Sequence, residues 1–224
     1  MNVRIEITYQ TPKGNQTEFT SEEMRAEKAL LLAEDLRKTG RISTIQFMDD
    51  FENRWNVKEL SKQLEEIETE PHQITVTFDG SFDWKTQTSG LGCAIYYKQN
   101  EKSYRLRKNA HVDELASNNE AEYAACHLAL QELEYMDVHH LPVTITGDSL
   151  VVIQQLKGEW ACYKSELSKW ADRIDDLISR MGITPEFNLV SRKKNKEADH
   201  LASQALEGTE VTSTKEIPNQ SSGS

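Results

Sequence analysis

The chain has 224 residues, a length typical of one large domain or two small ones. It is 37% hydrophobic and 28% charged, so a real core is expected, and no apolar run is long enough to span a membrane. The net charge of −11, spread evenly along the chain, argues against the basic surface that most nucleic-acid-binding proteins use. The three cysteines form no CxxC pair and the first ten residues lack the apolar core of a signal peptide, so we expect a cytoplasmic protein.

Residues 1–71 are predicted to form a small α/β domain of unassigned role. Thr20 and Glu23 have the spacing of a capping box, which predicts a helix start, and Pro71 blocks helix continuation at the domain boundary. The predicted elements are a hairpin turning at residues 11–14, a helix ending near residue 38, a strand at 42–48 and a helix at 57–67.

Residues 72–208 are predicted to form a second domain. Its strands are expected at residues 74–78, 92–97, 103–109, 143–147 and 187–190, and its helices at 119–136, 149–156, 165–181 and 195–206. The order βββαβαβα predicts an α/β fold with a mixed five-stranded sheet and helices on its faces. Residues 209–224 have almost no apolar content and are predicted to be a disordered tail.

Two acids fall on the apolar stripes of predicted helices, where an unpartnered charge is costly. At helical spacing Glu122 projects between Ala129 and Leu133, whereas Glu120 falls on the polar face. Asp199 likewise shares a face with apolar residues of the last helix. The alternatives are an edge-of-stripe acid that reaches solvent for Glu122, and a solvated acid favoured by the helix dipole for Asp199.

Two further acids each follow a predicted strand. Asp79 comes after the strand at 74–78, and Asp148 comes after the strand at 143–147. Taken singly, a turn at Asp79 and a helix N-cap at Asp148 are the more ordinary interpretations. Because ligands bind at the carboxyl ends of parallel strands, the two carboxylates can meet there, and carboxylates are the ligands that Mg²⁺ prefers.

The chain resembles the ribonuclease H family, type 1, in its reverse-transcriptase-like subgroup, over about residues 74–206. The resemblance rests on four segments in a fixed order, FDGS at 78–81, SNNEAEY at 117–123, TGDSL at 146–150 and RKKNKEADHLA at 192–202. It implies a metal-dependent endonuclease that hydrolyses the RNA strand of RNA–DNA hybrids and leaves 5′-phosphate ends.

The resemblance also implies the residues of the site. Two Mg²⁺ or Mn²⁺ ions would be held by four catalytic acids, Asp79, Glu122, Asp148 and Asp199. The hybrid, read by shape and 2′-hydroxyl contacts, would be bound by Gly80, Ser81, Ser117, Asn118, Asn119, Arg192 and Asn195. Helix capping by Asn118 and Asn119, and solvation of Arg192, remain alternative interpretations.

The sequence departs from the family at three places. The loop before Asp199 carries Arg192 and no histidine, residues 82–86 replace the usual proline–glycine turn, and no basic handle helix lies between residues 158 and 164. The missing histidine, the altered turn and the acidic charge favour an alternative, a catalytically weak or inactive nucleic-acid-binding protein. A transposase or integrase of related fold suits the segment around Glu122 less well.

Overall fold

The protein is described by a computed structural model over residues 1–218, apart from the side chains of Glu66 and Glu68. The chain divides into two compact units, Met1–Thr69 and Glu70–Ser224, close to the division expected after residue 71. Among the described residues no helix has the length and apolar character needed to cross a membrane.

The first unit is a sheet with helices against one face. Its strands run in the order β2-β1-β4-β5, with β3 paired to β1. The elements are β1 (Asn2–Gln10), β2 (Gln16–Thr20), β3 (Met24–Arg25), α1 (Ala26–Lys38), β4 (Ile42–Asp49), β5 (Arg54–Trp55) and α2 (Val57–Thr69). Alternation along β1 buries Val3 and Ile5, which join Phe47 and Leu60 in a separate core.

The predicted capping box at Thr20 is wrong. Thr20 ends β2, and helix α1 begins six residues later at Ala26, where Arg25 makes no side-chain cap. The intervening Met24–Arg25 pairs with the start of β1 instead, so this segment belongs to the sheet and not to the predicted helix.

The second unit has a mixed sheet with the strand order β10-β9-β6-β7-β8-β11. Its strands are β6 (His72–Asp83), β7 (Thr88–Gln99), β8 (Lys102–Val112), β9 (Pro142–Gly147), β10 (Thr184–Leu189) and β11 (Thr212–Ile217). Strands β6, β7 and β8 form an antiparallel meander, whereas β9 is parallel to β6 and β10 is parallel to β9.

The helices of this unit are α3 (Asn118–Tyr135), α4 (Leu150–Leu156), α5 (Ser165–Met181) and α6 (Lys196–Leu206), with a 3-10 turn at Arg192–Lys194 before α6. The main core is formed by one face of the sheet with α3, α4 and α5. Helix α6 lies on the other face, where a Cβ at Gly92 would come within 2.4 Å of the Ala198 carbonyl oxygen. The predicted α/β fold with helices on a mixed sheet is confirmed.

The sheet has a sixth strand that the sequence did not predict. Residues 212–217, expected to be part of a disordered tail, form β11 and pair antiparallel with β8 from Ser103 to Lys108. The buried amide of Asn109 holds the approach to this strand, accepting from Val211 N at 2.7 Å and donating to Thr209 O at 2.9 Å. The tail prediction is therefore wrong for β11, and its last part, residues 219–224, lies outside the described residues.

Candidate active site

Two of the predicted acids lie at the same level on neighbouring parallel strands. The register pairs Thr77 of β6 with Thr146 of β9, and Asp79 and Asp148 each follow two residues later. The Thr146 hydroxyl donates to the Val76 carbonyl oxygen at 2.8 Å and ties the two strands together just before the acids. Strand β9 ends one residue before Asp148, as predicted. The predicted strand end before Asp79 is wrong, because β6 continues to Asp83 through its pairing with β7, so Asp79 lies within a strand and not in a turn.

Glu122 reaches the same place from helix α3. Its side chain is 5% exposed, which confirms the inward direction predicted from helical spacing. Close approach of strand and helix depends on Gly80, because a Cβ there would lie 2.1 Å from the carbonyl carbon of Ala121. The Gly80 N–H favours the charged form of the Glu122 carboxylate and so opposes the rise in its pKa. Any side chain at position 80 would push the helix, and Glu122 with it, away from β6.

Three of the carboxylates converge. One oxygen from each of Asp79, Glu122 and Asp148 can be chosen so that all lie within 4.8 Å of one another. The buried Oε2 of Glu122 has no hydrogen-bond partner among the described residues. Buried carboxylates are costly unless paired or coordinating a cation, and hard divalent ions take oxygen ligands of this kind. The donor set therefore fits a divalent metal ion.

Asp199 lies beside this group of three without belonging to it. It sits in the first turn of α6, its side chain is 37% exposed, and it accepts a hydrogen bond from the Arg192 guanidinium at 3.0 Å. Its charge nevertheless acts on Asp79, whose pKa it helps to raise. Arg192 thus neutralises the fourth predicted acid in the metal-free protein.

The convergence changes the proton affinity of two of the acids. Burial raises the pKa of Asp79 to about 8, with further contributions from the negative charges of Asp148 and Asp199. Burial raises the pKa of Glu122 to about 9, again with the charges of Asp79 and Asp148 adding to the effect. Without a cation, these side chains retain protons near neutral pH, so metal binding releases them.

Asn195, predicted as a substrate contact, lies buried between the two strands that carry Asp79 and Asp148. It is 1% exposed, and its amide nitrogen donates to the Phe78 carbonyl at 2.9 Å and to Asp148 Oδ1 at 3.2 Å. These two bonds connect the residue before Asp79, the start of α6 and Asp148. The Asn195 Oδ1 atom is buried without a hydrogen-bond partner among the described residues, and a contact of Asn195 with substrate stays a prediction.

The other predicted substrate residues are distributed around the site. Ser117 is the N-cap of α3 and its hydroxyl accepts from Glu120 N at 3.3 Å, so the capping function falls to the serine. Gly80 is buried against α3, as described above. Ser81 and Asn119 are half-buried, whereas Asn118 and Arg192 are exposed.

An ion-pair network that the sequence analysis missed fixes the first turn of α6. Glu197 pairs with Arg105 at 3.0 Å and with Arg107 at 3.2 Å, and the Tyr96 hydroxyl donates to it. These partners come from β7 and β8, on the face that α6 covers. Two arginines at alternate positions of β8 are the signal in the sequence for an acid above that face.

The sequence matches the family model described as reverse transcriptase-like over residues 77–205. The chain is 40% identical over 193 residues to the uncharacterized protein YpeP of Bacillus subtilis (strain 168). This match covers 86% of this chain and 85% of that protein.

Three solved structures show the same architecture. The N-terminal RNase H domain of a Mycobacterium tuberculosis protein has 21% identity and a TM-score of 0.53, covering 60% of this chain and 94% of its own. RNase H1 from Halobacterium salinarum NRC-1 has 23% identity and a TM-score of 0.52, covering 61% and 98%. LC11-RNase H1, solved with an RNA/DNA hybrid and isolated from compost by a metagenomic approach, has 22% identity and a TM-score of 0.54, covering 61% and 98%.

At these identities the solved structures establish the fold alone, which is that of ribonuclease H. The family assignment rests on the sequence matches, since the family model spans more than half of the chain and the Bacillus subtilis relative matches most of it. The chain belongs to the reverse transcriptase-like family, within the ribonuclease H fold.

Proposed function

We propose that this protein is a divalent-metal-dependent endonuclease that hydrolyses the RNA strand of RNA–DNA hybrids. The observation that carries the proposal is the convergence of carboxylate oxygens of Asp79, Glu122 and Asp148, from distant segments, to within 4.8 Å of one another, with a buried Glu122 oxygen that has no hydrogen-bond partner in the described part of the chain. Structural acids are normally paired or solvated, so this arrangement favours catalysis over a purely structural role.

The four acids have distinct roles in this proposal. Asp79, Glu122 and Asp148 would hold Mg²⁺ or Mn²⁺, and Asp199, which pairs with Arg192 in the metal-free protein, would supply the fourth carboxylate of a site for two ions. When bound, such ions supply positive charge at the scissile phosphate and lower the pKa of the attacking water. Attack at phosphorus with loss of the 3′ oxygen gives 5′-phosphate and 3′-hydroxyl ends.

The remaining residues position the acids and the substrate. Asn195 orients Asp148 through its amide, and the released Arg192 guanidinium is free to pair with a phosphate. Substrate contacts in the proposal are Ser81 and the start of α3, residues 117–119, where short amides and hydroxyls suit the 2′-hydroxyls of the RNA strand.

A cleavage assay tests the proposal. Labelled RNA–DNA hybrid incubated with Mg²⁺ or Mn²⁺ is expected to be cut, and Asp79→Asn or Asp148→Asn is expected to reduce the rate at least 1,000-fold (about 4 kcal/mol at the transition state). Asp176→Asn, an exposed acid on α5, is the matched control and should cut normally. Cutting by the Asp79 and Asp148 variants at the unaltered rate would overturn the proposed site.

A non-catalytic hybrid-binding protein is the second candidate. It is favoured by the net charge of −11 and by Arg192, which pairs with Asp199 in the loop where relatives carry a histidine. Ca²⁺ separates the two functions, because it supports binding without turnover. Binding in Ca²⁺ with no cutting in Mg²⁺ or Mn²⁺ would establish this second function.

A cytoplasmic location is part of the proposal. The three cysteines are free thiols, Cys93 and Cys126 being buried and Cys162 half-buried, which suits a reducing compartment.

A further inference from the structure

The turn between β6 and β7 presents an exposed aromatic side chain on a rigid support. Trp84 is 68% exposed, and its ring packs edge-on against Phe82 with 4.8 Å between centroids and 85° between planes. Asp83 Oδ1 accepts from Lys85 N at 2.8 Å, and the Gln87 side chain donates to the Trp84 carbonyl at 2.9 Å. The indole is therefore open to solvent while its backbone and one ring edge are fixed.

The turn lies at the same end of the sheet as the candidate active site. Helix α3 leads into β9, whose Val143 pairs with Ile74 near the start of β6, so the beginning of α3 lies toward the end of β6. Strand β8 ends at Val112, which pairs with Ser89 next to the turn. The tip of the hairpin and residues 117–119 thus share the edge on which the acids open.

The spacing along β6 sets how far the turn is from the acids. Trp84 follows Asp79 by five residues, which at about 3.3 Å per residue corresponds to about 16 Å. A DNA duplex advances about 3.4 Å per base pair, so this distance corresponds to about five base pairs. A hybrid whose axis runs along β6 from the acids would therefore extend past the hairpin tip on one side of the cut.

We propose that Trp84 and Lys85 form a second contact with the hybrid about five base pairs from the scissile phosphate. The indole packs against a sugar at the edge of the groove, and the Lys85 ammonium pairs with a phosphate of the same strand. This inference rests on the proposed function. It gives a role to the segment in which the sequence departs from the proline–glycine turn of its family, and it supplies one of the few contacts through which an acidic protein can retain a polyanion.

Position-resolved cleavage tests this contact. On an end-labelled hybrid of 16 base pairs, Trp84→Ala is expected to lower kcat/KM about 5- to 20-fold at interior positions. Cuts within about five base pairs of one end, where the duplex stops short of the tip, are expected to be unchanged. Trp84→Phe should retain most of the activity. Tyr135→Ala removes an 83% exposed aromatic from the far end of α3 and should cut normally throughout.

The outcomes separate this contact from the proposed activity. A Trp84→Ala rate equal to that of the unaltered chain at every position, or an equal loss at every position, overturns the contact. Anisotropy in Ca²⁺ needs no turnover: an approximately 5- to 20-fold weaker affinity for the 16-base-pair hybrid supports the contact even where the chain does not cut, and an unchanged affinity overturns it. If the unaltered chain neither cuts nor binds hybrid, both proposals are overturned.

Discussion

At the scale of single residues, the clustered acids place a cost on the folded metal-free protein. Asp79 has a pKa of about 8 when folded, against about 4 for an aspartate in an unfolded chain. Between these values the folded state holds a proton that the unfolded state has released. The free energy of unfolding therefore decreases as the pH rises from about 4 to about 8, and it does so through Glu122 as well.

Asp79→Asn is expected to stabilise the metal-free protein while abolishing cleavage. Asparagine does not ionise, so the variant avoids the cost of a buried negative charge at position 79. Its gain in unfolding free energy over the unaltered chain should therefore be larger at pH 8 than at pH 5, by about 2 kcal/mol. Urea unfolding in EDTA at the two pH values measures it. Excess Mg²⁺ should reduce the stability difference between Asp79→Asn and the unaltered chain, because it binds the unaltered site more tightly. If Asp79→Asn is less stable than the unaltered chain at pH 8, the ionised Asp79 carboxylate does not destabilise the metal-free protein.

The sequence predicted some of these residue positions and missed others for physical reasons. Helical periodicity was enough to direct Glu122 inward, since position on a helix fixes direction. It could not show that Asn195 is buried between Phe78 and Asp148, because that contact joins segments 47 and 117 residues apart. Nor could it show that Asp199 pairs with Arg192, which depends on the 3-10 turn before α6.

At the scale of elements, short-range patterns predicted the helices of the second unit to within one residue, whereas they did not predict the last strand. Helix α5 has the predicted bounds, since its apolar residues recur at helical spacing. Strand β11, with the sequence TSTKEI, has no such pattern, and it forms because the edge of β8 offers unpaired backbone groups. A strand that depends on its partner is not visible in its own composition.

Asn109 is expected to control this last strand. Asn109 is 2% exposed, and its side chain bonds to the Leu201 and Thr209 carbonyls and to Val211 N, so Asn109→Ala removes three hydrogen bonds to backbone groups that are buried or partly buried. We expect a loss of about 2–4 kcal/mol in unfolding free energy. Hydrogen exchange should accelerate in residues 212–217, while the amides of β9 provide the internal control. If the amides of β11 exchange as slowly in Asn109→Ala as in the unaltered chain, the strand does not depend on the Asn109 side chain.

At the scale of the whole molecule, the net charge of −11 opposes the binding of a polyanion. The basic residues next to the acids are few, with Arg192, Lys193, Lys194 and Lys196 clustered around the start of α6. A duplex approaching this end of the second unit meets the carboxylates as well. Bound divalent ions would reverse the local sign of the field, so under the proposed function we expect substrate binding to require the metal.

Hybrid affinity is accordingly expected to depend more on divalent ions than on monovalent salt. Replacing Ca²⁺ with EDTA should weaken binding at least 10-fold, because the carboxylates then repel the phosphates. With Ca²⁺ present, the logarithm of the affinity should fall with the logarithm of salt with a slope of only about −2 to −4, as expected for few phosphate contacts. Fluorescence anisotropy between 50 and 200 mM KCl measures both quantities. Tight binding in EDTA with a steep salt slope would mean that a basic surface elsewhere on the chain, and not this metal-dependent edge, receives the nucleic acid.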